Sequence, residues 1–208
     1  MYNSSLQPNS YDSIIREANQ VDAFIKGQHQ YRYEHQHRRW EYGLAIALIK
    51  EVKPKSILNV GGGNSPLSRM AYKYCPYVTE IDPNVPDTKF PEIAYIDDEF
   101  PNPGLRGKFD LVLCTSVIEH VEHDHLFFRE LLNIARGHVF LTTDFHPTGK
   151  QFSMAHLRTY NSSSLEYLMD IAYEHGFMPL GEPNYSYKVP MVYDYTFASL
   201  TLAKVYDV

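Results

Sequence analysis

The stretch Ile57-Leu-Asn-Val-Gly-Gly-Gly-Asn-Ser65 places three glycines directly after a short apolar run. Glycine turns sharply with positive φ, and without a Cβ it lets a ligand approach the backbone. Ser65-Pro66 then opens a helix, with Ser as the cap and Pro at the first helical position. The free N–H groups and positive dipole end of that helix face the loop, where a carboxylate or phosphate can rest. Alone, such a cluster also reads as a structural turn. Asp82 raises its meaning. It ends the next apolar segment, Tyr77-Val-Thr-Glu-Ile81, which sets a carboxylate beside the loop across adjacent strand ends. A carboxylate there can accept both ribose hydroxyls of an adenosine ligand. A dinucleotide fingerprint would need G-x-G-x-x-G. Counted from Gly61 its last position is Pro66, and from Gly62 it is Leu67 with Asn64 in the middle, which disfavours NAD.

Three side chains stand where a proton could be removed from an acceptor: Glu119 and His120 after residues 109–114, and His146 after residues 139–143. Strand carboxyl ends are where open α/β sheets place their ligands. Each of the three also has a structural reading, Glu119-His120 as a brace for the helix that follows. His120, His123 and His125, with Glu119, Glu122 and Asp124, lack H-E-x-x-H spacing and read as a solvated first helical turn, so no metal is expected. The segment 29–40 is dense in His, Tyr and Arg. Tyr31, Tyr33, His37 and Trp40 suit either a lid over the site or aromatics docked on the sheet. His156 and Arg158 suit an anionic acceptor group.

The elements that must position these residues follow from hydrophobic period. Apolar positions at helical spacing over 11–26 and 42–50 predict two N-terminal helices, the second closed before Pro54. Residues 1–10 are polar and read as frayed. Short apolar runs at 56–60, 77–81, 93–96, 109–114 and 139–143 read as buried strands. Helices are predicted over about 122–135 and from a capping box at Ser163 and Glu166 to Gly176; strands at 177–180 and 197–205 close the chain. Strand–helix alternation implies a three-layer Rossmann-like α/β sandwich with a mostly parallel seven-stranded sheet. Pro83, Pro86 and Pro91, then Pro101, Pro103, Gly104 and Gly107, leave no room for full helices between the second and fourth of these strands. That side of the sheet is thinly covered and suits a partner or homodimer interface. The expected organisation is a helical extension over 1–54 on a core over 55–208, one domain overall.

The formal net charge of −6 argues against non-specific nucleic-acid binding, which needs cationic surface. No window approaches a membrane span, and residues 1–20 lack the pattern of a signal peptide. Cys75 and Cys114 sit in apolar contexts and read as reduced core thiols, which points to a cytoplasmic setting.

Four stretches in order resemble successive motifs of class I S-adenosylmethionine-dependent methyltransferases: Leu58-Asn-Val-Gly-Gly-Gly-Asn-Ser65, Val78-Thr-Glu-Ile-Asp82, Ile96-Asp-Asp98 and Phe109-Asp-Leu-Val-Leu-Cys-Thr-Ser-Val-Ile-Glu-His-Val121. The resemblance covers about residues 55–145 and implies S-adenosyl-L-methionine as cofactor and an antiparallel last strand. It assigns Gly61, Gly62 and Gly63 to the methionine portion, Asp82 with Pro83 to the ribose, and Asp97 or Asp98 to the adenine amino group. Thr115, Ser116 and Val117 would form the floor beneath the sulfonium. Asn59 stands where the family usually carries an acidic residue toward the donor's amino group, and Ser65 replaces a usual third glycine. Residues 115–118 lack the Asn/Asp-Pro-Pro-aromatic motif of amino-methylating DNA enzymes. The expected acceptor is therefore a small molecule or saccharide, with a protein side chain second. The competing expectation is a non-catalytic S-adenosylmethionine-binding or scaffold protein of the same fold.

Overall fold

The computed structural model describes residues 1–7, 10, 12–26, 37–85, 89–105, 109–150, 157–186 and 194–205. Helices α1 (Ile15–Lys26) and α2 (His37–Val52) precede the first long strand. The rest alternates: β2 (Ser56–Val60), α3 (Leu67–Tyr72), β3 (Tyr77–Ile81), β4 (Ala94–Ile96), β5 (Phe109–Thr115), α4 (Asp124–Ile134), β6 (Ala135–Phe145), α5 (Ser162–Glu174), β7 (Phe177–Pro179) and β8 (Thr196–Lys204). A two-residue strand, β1 (Ser4–Ser5), opens the chain. The sheet runs β1-β8-β6-β5-β2-β3-β4, with β7 also paired to β8. Strands β4, β3, β2, β5 and β6 are mutually parallel, and β8 is antiparallel to its neighbours.

Period two decides what covers each face. Leu58, Val60, Val112, Cys114, Val139 and Leu141 point to one side, where Phe127, Phe128 and Leu131 of α4 meet Leu165, Leu168 and Ala172 of α5. Ile57, Leu111, Leu113 and Phe140 point to the other, against Ile14 and Val21, the α2 residues Trp40, Leu44 and Leu48, and Leu67 and Met70 of α3. Three layers result. Between β3 and β4 the described residues hold no helix, and between β4 and β5 they hold one short 3-10 turn, Pro103–Leu105. No described helix is long and apolar enough to cross a membrane.

Several expectations shift. The sheet has eight strands rather than seven, because the N-terminal segment is not frayed: Ser4 and Ser5 pair with Ser199 and Ala198, while Tyr2 and Leu6 are buried. Their polar neighbours find partners too: Asn3 Oδ1 accepts from Thr201 N–H of β8 at 2.6 Å, and Gln7 Nε2 donates to Ser186 O at 2.8 Å. The capping box of α5 sits two residues earlier than predicted. Asn161 Oδ1 accepts from Ser164 N–H and Ser164 Oγ accepts from Asn161 N–H, so Ser163 and Glu166 do not form it. Asn competes well at this position because its carboxamide reaches the same free N–H group. Gly176 closes the helix at φ 72° as predicted. Helix α3 starts after Pro66, and Ser65 Oγ accepts from Leu67 N–H at 3.2 Å.

Candidate active site

Strands β2 and β3 are in register, with Asn59 opposite Glu80 and Val60 opposite Ile81, so their carboxyl ends bring the glycine loop against Asp82. Gly63 adopts φ 50° and donates its N–H to Asp82 Oδ2 at 3.0 Å. Asn84 N–H donates to Asp82 Oδ1 at 2.7 Å. Two backbone donors thus fix the carboxylate, and each oxygen keeps a lone pair for a further donor. Pro83 beside it is exposed. On the other flank, Asp82 N–H donates to Ile96 O, which draws the end of β4 alongside. Asp97 and Asp98 follow there, both exposed. Asp98 accepts from Glu99 N–H and Asn102 Nδ2 and so shapes its own turn.

Beneath the loop lies a buried polar trio. Asn59 Nδ2 donates to Ser68 Oγ at 2.9 Å, and Ser68 Oγ donates to Glu80 Oε2 at 2.5 Å. A Cβ at Gly62 would overlap the Glu80 carboxyl group, so glycine there is what lets the loop lie over it. Burial pushes the Glu80 carboxyl up to about 7, against the hydrogen bonds of Ser68 and Asn59 and with help from Asp82.

Next along the sheet, the ends of β5 and β6 carry a second set of carboxyl groups. Ser116 takes φ 51° and donates its N–H to Thr142 O. Its hydroxyl donates to Glu41 Oε1 at 2.6 Å, and Thr142 Oγ1 donates to the same atom at 2.5 Å. Arg38 Nη1 donates to Glu41 Oε2 at 3.0 Å. Glu119 accepts from Thr143 Oγ1 at 3.2 Å and is buried, as is Asp144. Burial, then the charge of Asp144, holds the Glu119 carboxyl well above its ordinary range. Burial and Glu41 raise Asp144 to about 7, with Arg38 pulling the other way. Glu41, Asp144 and Arg38 escaped the sequence analysis. Their signal was a charged residue on an otherwise buried face, Glu41 between Trp40 and Tyr42 and Asp144 at the end of an apolar strand.

A family model described as a methyltransferase domain matches residues 30–179. The chain belongs to that family. No curated protein matches it by sequence. Among solved structures it is similar to 1,6-didemethyltoxoflavin-N1-methyltransferase of Burkholderia thailandensis, crystallised with 1,6-didemethyltoxoflavin and S-adenosylhomocysteine. That likeness has a TM-score of 0.62 at 15% identity and covers 96% of this chain and 91% of that one. Magnesium protoporphyrin IX methyltransferase (ChlM) of Synechocystis PCC 6803, with bound S-adenosylhomocysteine, gives 0.59 at 15% identity over 93% and 100%. The methyltransferase domain of bacterial CtHen1-CN gives 0.55 at 16% over 78% and 96%. At such identities the likeness is one of fold.

The remaining candidates of this methyltransferase fall into place unevenly. Thr115 is buried at the end of β5, and Val117 packs against Gly61, whose own Cβ would strike its γ-methyls. His120 is exposed. His146 is half-buried, with Nδ1 2.9 Å from Thr148 Oγ1 and its N–H on Tyr160 O. Trp40 is a core residue docked on the sheet, so the docked alternative holds for it. Tyr31, Tyr33, His156 and the His37 side chain lie outside the described residues. Arg158 donates to Val121 O and Glu122 O and pairs with Asp124 at 3.0 Å. It staples the turn before α4 instead of waiting for an anionic acceptor.

Proposed function

We propose that this methyltransferase binds S-adenosyl-L-methionine over the carboxyl ends of β2, β3 and β4 and transfers its methyl group to a small-molecule or saccharide acceptor. The observation that carries the reading is the Asp82 carboxylate, fixed by two backbone N–H groups at the mouth of the glycine loop. The residues fit such a ligand: a glycine cradle for its amino-acid end, a carboxylate for ribose hydroxyls, and Asp97 or Asp98 within the adjoining strand end for the adenine amino group. When bound, the donor supplies an electrophilic methyl group on a sulfonium. The protein's own work is placement and, for an acidic acceptor, proton removal.

Thr115, Ser116 and Val117 form the floor in this reading. Asp144, with its carboxyl near 7, suits proton removal at neutral pH better than Glu119, whose carboxyl burial pushes well above the usual range, or the exposed His120. His146 flanks the same strand end. Buried, free Cys75 and Cys114 suit the cytoplasm, where thiols stay reduced. Calorimetry with S-adenosylmethionine and S-adenosylhomocysteine tests the donor: both bind the unchanged protein, and Asp82→Ala weakens binding by about 1–3 kcal/mol. Absence of binding sinks the proposal. Binding without turnover on any acceptor favours the non-catalytic relative. With methyl-labelled donor and a cell extract, label enters the small-molecule or saccharide fraction; label confined to protein or RNA overturns the acceptor class.

A further inference from the structure

The trio beneath the glycine loop is not fully satisfied. Asn59 and Glu80 are each 1% exposed. Ser68 uses its hydroxyl as donor to Glu80 and acceptor from Asn59. The Asn59 amide also approaches Glu80 Oε2 at 3.5 Å. With the amide nitrogen so committed, Asn59 Oδ1 and Glu80 Oε1 are left buried without a donor. A buried acceptor without a partner keeps the full cost of its lost hydration. Both acceptors, one of them on a carboxyl group, lack a donor, and a ligand's ammonium group carries N–H donors of the charge that a carboxylate favours. No Lys or Arg bonds to the trio among the described residues, and the loop above it is a cradle without side chains.

Resting on the donor reading above, we infer that Glu80 is a positioning residue for the α-ammonium group of the ligand's amino-acid end. It supplies negative charge under the loop and turns the Asn59 carboxamide so that Oδ1 is left to accept from that ammonium. The carboxylate that is missing at Asn59 thus stands one strand over, at its register partner. The arrangement carries a pH signature. Glu80, near 7, is largely protonated in the free protein below neutrality. An ammonium group favours the ionised form, so binding below neutrality releases a proton and affinity rises as pH passes through 7. The ionisable groups around Glu80 are Asp82 at the end of its own strand, Tyr42 from α2, and Tyr95, its register partner on β4. Packed against it, α3 presents Ser68 and β2 presents Asn59, neither of which titrates.

The test is calorimetry on the full chain with two probes. S-adenosylhomocysteine carries the amino-acid end, and 5′-methylthioadenosine keeps the adenosine but lacks it. On the unchanged protein, affinity for S-adenosylhomocysteine rises about tenfold from about pH 6 to pH 8 and a fraction of a proton is released near pH 7, while methylthioadenosine shows neither effect. Glu80→Gln, which keeps the shape, weakens S-adenosylhomocysteine about tenfold at pH 8, flattens its pH profile and leaves methylthioadenosine unchanged. Asn59→Asp combined with Glu80→Gln, which returns the charge to β2, recovers most of the loss. Unchanged affinity in Glu80→Gln, equal loss for both probes, or a double variant no better than the single at unchanged melting temperature overturns the inference. If neither probe binds the unchanged protein, the donor reading has failed instead.

Discussion

In the proposed reading, the donor end and the acceptor end of this site are built in opposite ways. At the donor end, Gly61 to Gly63, Ser68, Glu80 and Asp82 come from one β2-α3-β3 unit, and each contact spans at most a strand-to-strand step. At the acceptor end, Glu41 of α2 reaches Ser116 and Thr142, 75 and 101 residues away in the chain. The first is local and held by backbone geometry; the second exists only when the N-terminal helices are docked. One fold therefore carries a glycine-loop cradle closed within its own β2-α3-β3 unit and a polar cluster at the ends of β5 and β6 that needs α2 in place.

Three substitutions press on that contrast. Glu41→Ala should have the largest effect on stability, about 3 kcal/mol by urea unfolding, because it strands the Ser116 and Thr142 hydroxyls and removes the carboxylate beside Arg38. Donor affinity of the surviving folded protein should hardly move; a matched loss would mean the two ends are one unit. Gly62→Ala comes next, at about 2 kcal/mol, since the new methyl group must displace the Glu80 carboxyl. Here donor affinity should fall with stability, and thermal shift with S-adenosylhomocysteine reads both.

Asp144→Asn is the smallest and the most pH-dependent. Asp144 is raised to about 7 in the folded protein, so between its ordinary range and 7 the native state holds a proton that the unfolded chain has lost. Its contribution to stability falls as pH rises through that window. Asparagine cannot ionise, so the variant should gain on the unchanged protein by about 1–2 kcal/mol between pH 6 and pH 8. A constant difference across that range would show that Asp144 does not carry the proton.

The same contrast explains what the sequence made legible. The glycine loop, Asp82 and the strands from residue 56 onward were readable because each lies in a short segment with its own period. Glu80 lies within the second motif, where alternation puts it on the buried face with Val78. A charged residue on a buried face was the available signal. Arg38 and Glu41 pair at i,i+3 on α2, but Ser116, Thr142 and Asp144 meet them only through tertiary contact, which no spacing within the chain announces. The capping box of α5 slipped by two residues because Asn, Ser and Ser163 all compete for one free N–H group. The strand at residues 4–5 was invisible because what defines it is backbone pairing with Ala198 and Ser199 of β8, at the opposite end of the chain, not a local pattern.

That small strand has a consequence for how the molecule behaves in a crowd. The outer side of β8 is shared between two short pieces, β1 along Ala198 and Ser199 and β7 along Leu202, Ala203 and Lys204. Between them Asn3 closes the seam, its side chain accepting from Thr201 N–H and donating to Leu180 O. A nine-residue strand of nearly continuous apolar and hydroxyl side chains, otherwise a template for edge-to-edge pairing with another molecule, is thereby sealed along its length. The first few residues act as a guard against self-association.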